Sequence, residues 1–254
     1  MKVTLITHTP EPEKVIATAA KLCYASADID TLMEGLTPEK IDSFLDMLTN
    51  IGHESPIEHV TFTFGIEGVS RSLLAQITRH RIASFSVQSQ RYVEENKFEF
   101  ITPPEIAADE EASRLYKEQM QSAIDSYNKL ADILKEKHYK TFTLQGDDEK
   151  AAKRKAQKKA IEDARFVLPN ATSSSLVASL NLRELIHLAQ LRLCTRAQYE
   201  IRMMVKAMCD EITKEEPWLK EYLVPKCEFN GFCDEHKSCG RKITKSELFA
   251  KAGL

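Results

Sequence analysis

Residues 79–92 read Arg79-His80-Arg81-Ile82-Ala83-Ser84-Phe85-Ser86-Val87-Gln88-Ser89-Gln90-Arg91-Tyr92. Adjacent side chains cannot share one face of a helix or strand, so the side chains of Arg79, His80 and Arg81 must fan out. Such a fan of guanidinium and imidazole donors suits a phosphate, a carboxylate or an electron-rich ring. The alternative for an isolated Arg-His-Arg is a solvated basic turn or a set of surface ion pairs.

The residues on either side of the triplet favour a binding loop. Before it, Leu73, Leu74 and Ile77 recur at helical spacing. Gln76 lies three residues before Arg79 and therefore on the same helix face. Small polar residues follow the triplet, namely Ser84, Ser86, Gln88, Ser89 and Gln90. A donor-rich loop that leaves a buried helix is a place where binding residues concentrate.

The motif Arg79-His80-Arg81, seven residues, Ser89, one residue, Arg91 resembles the signature of the flavin-dependent thymidylate synthases. We call residues 79–91 the signature segment. The resemblance extends from about His53 to Trp218. It implies an enzyme that makes dTMP from dUMP, with methylenetetrahydrofolate as one-carbon donor, FAD as hydride carrier and NADPH as reductant.

The resemblance also implies which residues contact FAD. They are His53, Ser55, Arg79, His80, Arg81, Val87, Asn181, Leu182, Arg183 and His187. The family often has Glu at the position of Val87, which offers only backbone groups to a ligand. Neighbouring Gln88 is the candidate to replace that contact.

By the same resemblance, the dUMP contacts are Gln76, Arg79, Gln88, Ser89, Gln90, Arg91, Arg165 and Arg192. Arg192 is the expected catalytic residue, since it stabilises the N3-deprotonated uracil and makes C5 more nucleophilic. Classical thymidylate synthesis attacks uracil C6 with a cysteine thiolate. Members of this family use none, so we expect catalysis by positioning and electrostatics, and Cys194 is a thiol to test.

The segment 181–202 supplies the second group of polar residues. Arg183 and His187 are four residues apart and share a helix face. Arg192 follows Arg183 by nine residues, so it points the opposite way. One helix would then serve two pockets, which we expect of a homo-oligomer, by resemblance a tetramer, with active sites at subunit interfaces. The alternative is that Arg192 and Arg196 pair with Glu200 and neighbouring carboxylates.

Composition limits the other classes of function. The chain has 254 residues, 43% hydrophobic, with a net charge of −3, enough for one substantial core or two small ones. The near-neutral charge disfavours a nucleic-acid binder. No stretch approaches the ~20 apolar residues of a membrane helix, and the start has no signal-peptide pattern. We expect a cytoplasmic protein with reduced cysteines.

The pattern along the chain predicts an α+β fold. Short β-branched or alternating runs predict strands at 3–7, 60–66, 98–102 and 173–180. Helical patterns run over 12–24, 37–52, 70–78, 109–138 and 150–164. We expect a central mixed or antiparallel sheet flanked by long helices, as in the flavin-dependent thymidylate synthase fold. Residues 1–222 should form a single domain and residues 223–254 a cysteine-containing tail.

Two clusters raise the possibility of metal binding. His53 and His59 accompany two glutamates, but Pro56 separates them and their spacing is not that of helical ligands. In the tail, the candidate zinc ligands are Cys227, Cys233, His236 and Cys239. Their gaps are wider than usual for structural zinc, so packed free thiols are favoured over zinc, and a disulfide is favoured least.

Two other functions compete with the synthase. One is a flavoprotein or nucleotide-binding protein that kept the fold but lost methyl transfer, and Val87 alone points to it. The other is an RNA-binding module that uses the signature segment and the basic run 150–159. The neutral charge and few aromatic residues count against RNA, and a solvated helix face explains the basic run.

Overall fold

The structure is a computed structural model, and it describes residues 1–41, 54–90 and 99–252. The strands are β1 (Lys2–His8), β2 (Thr61–Ser70), β3 (Ala83–Val87) and β4 (Ser173–Asn181). The helices are α1 (Pro12–Leu22), α2 (Ile29–Glu34), α3 (Arg71–Ile77), α4 (Pro104–Ala108), α5 (Glu110–Leu144), α6 (Glu149–Ala164), α7 (Leu182–Arg192), α8 (Tyr199–Glu215), α9 (Lys226–Asn230) and α10 (Lys245–Ala252). Short 3-10 helices cover Ser55–His59, Arg165–Val167 and Pro217–Glu221. The expected α+β class is confirmed.

The four strands form one sheet in the order β1-β2-β4-β3. Strand β2 therefore lies in the middle, and its side chains alternate as the sequence predicts. Phe62, Phe64 and Ile66 are at most 1% exposed. On the other face, the Thr63 hydroxyl lies 2.8 Å from the Ser179 hydroxyl of β4. Core packing and polar cross-strand contacts thus fix the register of β2 against β4.

The chain divides into two compact units. Unit 1 comprises Met1–Ile66, Ile77–Ser86 and Val177–Leu254. Unit 2 comprises Glu67–Gln76 and Val87–Leu176. The division expected from the sequence, one domain over 1–222 followed by a tail over 223–254, stays a prediction.

In unit 2, α5 and α6 pack against each other. Each helix begins at an aspartate cap: Asp109 accepts from the Ala112 N–H, and Asp148 from the Ala151 N–H. Gly146, at φ +91°, makes the turn between the helices, a conformation that favours glycine. The buried face of α6 is small and apolar, with Ala152, Ala156 and Ala160 fully buried.

The basic run 150–159 lies on the solvent side of α6. Several of its cations pair with carboxylates of the same helix or of the preceding turn: Lys153 with Glu149, Lys155 with Asp147 and Lys159 with Glu162. This is the solvated helix face that the sequence favoured, and the paired charges leave less net positive field for RNA.

In unit 1, α7 packs against α8, and α8 against β1. The Asn181 side chain caps α7 by accepting from the Glu184 N–H at 2.9 Å. The buried residues of α7 are Leu182, Glu184, Leu185, Leu188 and Ala189. A carboxylate is unusual among them, because buried charges need partners.

Some local predictions differ from the structure. The strand expected at 98–102 reduces, within the described residues, to an antiparallel bridge between Phe100 and Thr172. Helix α2 was not predicted from the sequence, and Cys23, just after α1, is exposed. The helix expected from Thr37 does begin there, with the Thr37 carbonyl accepting from Ile41, and its later residues lie outside the described ranges. No helix in the described part of the chain is long and apolar enough to cross a membrane.

Candidate active site

The signature segment begins where α3 ends. The His80 N–H donates to the Ile77 carbonyl at 3.1 Å, which turns the chain after the helix. His80 is 8% exposed, whereas Arg79 and Arg81 are exposed on either side of it. The predicted fan is therefore present. Among the described residues neither guanidinium makes an ion pair, and guanidinium groups suit anions.

The inward-pointing imidazole meets three residues of α7. His80 Nδ1 lies 2.7 Å from Glu184 Oε1, and both residues are only 8% exposed. Arg192 Nη2 lies 3.4 Å from His80 Nε2. The His187 ring meets His80 edge-on, with 6.2 Å between centroids. We call these four residues the His80 cluster; all belong to unit 1.

One hydrogen-bond donor of Arg192 is buried without a partner among the described residues. Its Nε is buried and has no acceptor among the described residues. Leaving a buried N–H without an acceptor costs on the order of 1–3 kcal/mol, so such a group is a natural contact for a ligand carbonyl or anion. The guanidinium is charged at every working pH. Arg192 can therefore stabilise negative charge that develops on a bound ring.

Arg183 makes different contacts from Arg192, as their spacing predicts. Its guanidinium is exposed and pairs with Glu54 at 2.8 Å and with Glu58. The hydrogen bond to Glu58, followed by the charge of Glu54, raises the pKa of Arg183. Arg192 and His187, by contrast, both lie against His80. Both side chains therefore lie near one imidazole, and the expectation that α7 serves two different pockets stays a prediction.

The alternative pairing with Glu200 does not account for the two arginines. Arg192 contacts His80, and Arg196 lies 3.4 Å from Glu235 in the tail. Both contacts join α7 or its end to residues far away in sequence.

Three other residues expected at FAD are also in unit 1. Ser55 is exposed at the start of a 3-10 helix. Asn181 uses its side-chain oxygen to cap α7. Leu182 is 1% exposed, and its N–H donates to the Val60 carbonyl at 2.8 Å. The side chain of Leu182 is therefore packed in the core and its N–H is already hydrogen-bonded, so neither group is free to contact a cofactor.

Unit 2 holds the remaining described candidates: Gln76, Val87, Gln88, Ser89, Gln90 and Arg165. The Gln76 side chain donates to the Ser72 carbonyl at 3.3 Å. Gln88 is exposed, and its backbone N–H pairs with Ser175 of β4. Arg165 follows α6, with Nε donating to the Glu162 carbonyl and its guanidinium 5.9 Å from the Phe166 ring. His53 and Arg91 lie outside the described residues.

A family model described as thymidylate synthase complementing protein matches residues 4–218. The flavin-dependent thymidylate synthase of Clostridium tetani is 44% identical over 250 residues, covering 98% of this chain and 97% of the relative. The chain belongs to the flavin-dependent thymidylate synthase family. The flavin-dependent thymidylate synthase of Geobacter sulfurreducens is 39% identical over 257 residues and matches both chains over 100% of their length.

A solved structure has the same fold as this chain. The flavin-dependent thymidylate synthase of Helicobacter pylori, crystallised with FAD and dUMP, aligns with a TM-score of 0.61. It is 22% identical and covers 88% of this chain and 100% of its own. At this identity the likeness establishes the shared fold.

The tail gathers three cysteines around one cavity, but it does not bring His236 to them. Cys227, Cys233 and Cys239 line a cavity of about 90 Å³ together with Cys194 from the end of α7. His236 is exposed and does not line it. Within the described ranges no three His, Cys, Asp or Glu side chains are arranged to hold a metal. All six cysteines are free thiols, and zinc binding by the tail stays a hypothesis.

These thiols differ in acidity. A hydrogen bond from the Thr195 hydroxyl lowers the pKa of Cys239, whereas burial raises the pKa of Cys227. Burial also raises the pKa of Cys209 to about 12, which leaves almost no thiolate at neutral pH.

Sequence reasoning missed Glu184 as a site residue. The signal was present, because Glu184 stands between Leu182 and Leu185 on the apolar face of a helix. A charged residue at such a position has to find a buried partner. The partner, His80, is 104 residues earlier.

Proposed function

We propose that this chain makes dTMP from dUMP, with FAD as hydride carrier, methylenetetrahydrofolate as one-carbon donor and NADPH as reductant. The observation that carries the proposal is Arg192, a cation beside the buried His80 whose buried Nε–H has no acceptor among the residues that the structure describes. Such a donor is suited to a pyrimidine that gains negative charge during the reaction.

The chain's own residues supply binding and electrostatics. Arg192 donates to the uracil, favours its N3-deprotonated form and raises the electron density at C5. Arg79 and Arg81 are exposed cations in the segment that matches the family signature, and they suit phosphate groups. Bound FAD supplies the hydride chemistry that no side chain can provide.

Family membership and the named relatives support this assignment. The Helicobacter pylori enzyme of the same fold was crystallised with both FAD and dUMP, which are the two ligands proposed here. The proposal also includes NADPH as reductant and methylenetetrahydrofolate as one-carbon donor. It further includes a homotetramer with active sites between subunits, located in the cytoplasm. The assignment of FAD and dUMP to the residues named above is part of it.

The purified chain should take up FAD. The exposed Arg79 and Arg81 offer cations to the cofactor, and the exposed ring of His187 offers a flat surface. After reconstitution and gel filtration, absorbance near ~450 nm should elute with the protein, as expected of a bound flavin. A protein that stays colourless and shows no FAD affinity would rule out the proposed function.

Release of tritium from [5-³H]dUMP tests the methyl transfer itself. A synthase must replace hydrogen at C5, so tritium should appear in water when folate and reductant are present. The competing hypothesis, a flavoprotein without methyl transfer, is favoured only by Val87 in place of the family's common Glu. FAD binding without tritium release would favour that alternative.

Replacing Cys194 with Ala should leave measurable synthase activity. Cys194 lines the tail cavity. The other candidate, Cys209, has a pKa raised by burial, so almost none of it is thiolate at neutral pH. The mechanism proposed here forms no thioether at uracil C6. The assay is dTMP formation by the Cys194→Ala variant with FAD content measured in parallel. Loss of all turnover with folding and FAD binding intact would make Cys194 a nucleophile after all.

A further inference from the structure

The contact between Glu184 and His80 connects a buried carboxylate to the proposed catalytic arginine. Glu184 lies 2.7 Å from His80 Nδ1, and His80 Nε2 lies 3.4 Å from Arg192 Nη2. Glu184 and His80 are each 8% exposed. The three side chains therefore form a line from the first turn of α7, through the imidazole, to its last turn.

The hydrogen-bonding capacity of each group fixes where the imidazole proton lies. A carboxylate accepts, so the nitrogen facing Glu184, Nδ1, carries the proton. A guanidinium can only donate, so the nitrogen facing Arg192, Nε2, must offer its lone pair. A doubly protonated ring would place an N–H and a positive charge against the Arg192 cation. The neutral Nδ1–H tautomer is the form that satisfies both contacts.

The position of Glu184 in its helix supports this role. Glu184 is in the first turn of α7, and its own N–H is held by the Asn181 cap. The amino end of a helix has a partial positive charge that favours a carboxylate. The cap thus holds the backbone at Glu184, and the helix end favours the charged form of its side chain.

We infer that Glu184 is a positioning residue, which sets the His80 tautomer and thereby orients Arg192 toward the pyrimidine. The inference rests on the proposed function for what Arg192 does to dUMP. The hydrogen-bonded line itself is independent of turnover. Glu184 needs no contact with substrate or cofactor in this role.

The tautomer of His80 is measured directly by long-range ¹H–¹⁵N spectroscopy of histidine-labelled protein. The chain has seven histidines, so the spectrum is small. The His80 signals are those that disappear in His80→Gln. We expect the wild type to show the Nδ1–H pattern at neutral pH. An Nε2–H or doubly protonated His80 in the wild type would overturn the inference without need of a variant.

Glu184→Gln keeps the size of the side chain but removes the charge that selects Nδ1–H. A Gln amide can present either its oxygen or its NH2 to Nδ1, so the His80 ring should populate both tautomers. In the Nε2–H form the ring faces the Arg192 donors with an N–H and cannot accept from them. We expect dUMP affinity by calorimetry to fall about tenfold, as for one mispaired buried donor. FAD affinity should change less than twofold (~0.4 kcal/mol).

The matched control is Glu216→Gln. Glu216 also stands beside a histidine, His8, with 3.8 Å between Oε1 and Nδ1 and both side chains mostly buried. It lies at the far end of α8, away from the His80 cluster. This variant should leave the His80 signals and the dUMP affinity unchanged, so an equal effect in both variants would indicate a general cost of losing a carboxylate.

A double variant tests whether Glu184 acts through Arg192. In the Arg192→Ala background, Glu184→Gln should weaken dUMP binding by less than twofold, because the group it orients is gone. A further tenfold loss in that background would overturn the inference. If the wild type shows the expected tautomer but forms no dTMP, the proposed function is wrong, whereas the inference that Glu184 sets the His80 tautomer is retained. If Glu184→Gln changes neither the His80 tautomer nor the dUMP affinity, the positioning role of Glu184 is refuted, whereas the proposed function is unaffected.

Discussion

Arg192→Ala should lower the rate of dTMP formation by ~10²–10³, the cost of removing one donor that stabilises developing charge in the transition state. The residue is partly buried at the end of α7, with its Nε lacking an acceptor among the described residues. It is therefore placed for a ligand rather than for the fold. The variant should fold and should still bind FAD, because the exposed cations Arg79 and Arg81 remain.

The measurement is single-turnover dTMP formation, with FAD content and circular dichroism as checks. Arg192→Lys should not restore the rate fully, because a point charge cannot reproduce the planar fork of donors. Arg196→Ala is the matched control, since Arg196 lies just beyond the same helix but pairs with Glu235. It should stay within a few-fold of wild type (~1 kcal/mol). If Arg192→Ala does so as well, the placement of the pyrimidine against Arg192 is wrong.

The sequence predicts features that depend on neighbouring residues. Adjacent Arg79, His80 and Arg81 had to diverge, and the structure buries the middle one while exposing the others. The alternation in β2 predicted its buried face. The helix after Thr37 starts at Pro38, because the fixed φ of proline suits a first helical position. Each of these features is set within a few residues of chain.

The contacts that assemble the His80 cluster are not local. His80 is separated by 104 residues from Glu184 and by 112 from Arg192. Helical spacing alone placed Arg192 and His187 on different faces, but it could not show that one imidazole reaches both. In the tail, spacing suggested His236 as a ligand, whereas the fold brings Cys194 to the other cysteines. Pairings over such separations depend on the sheet and on helix packing.

His80→Ala should lower the free energy of unfolding by about 3 kcal/mol, because it leaves the buried Glu184 carboxylate without its donor. The 2.7 Å contact and the 8% exposure of both residues set the size of the effect. Urea unfolding followed by circular dichroism measures it, with the midpoint compared at an unchanged slope.

The outcome depends on burial, so His138→Ala provides the contrast. His138 lies 4.0 Å from Asp163, whose side chain is 47% exposed, and water can replace the histidine there at a cost below about 1 kcal/mol. Replacing both His80 and Glu184 with Leu removes the buried charge together with its partner. That double variant should be more stable than His80→Ala, since no unpaired carboxylate remains. A double variant no more stable than His80→Ala would mean that lost packing, and not the buried carboxylate, determines the cost.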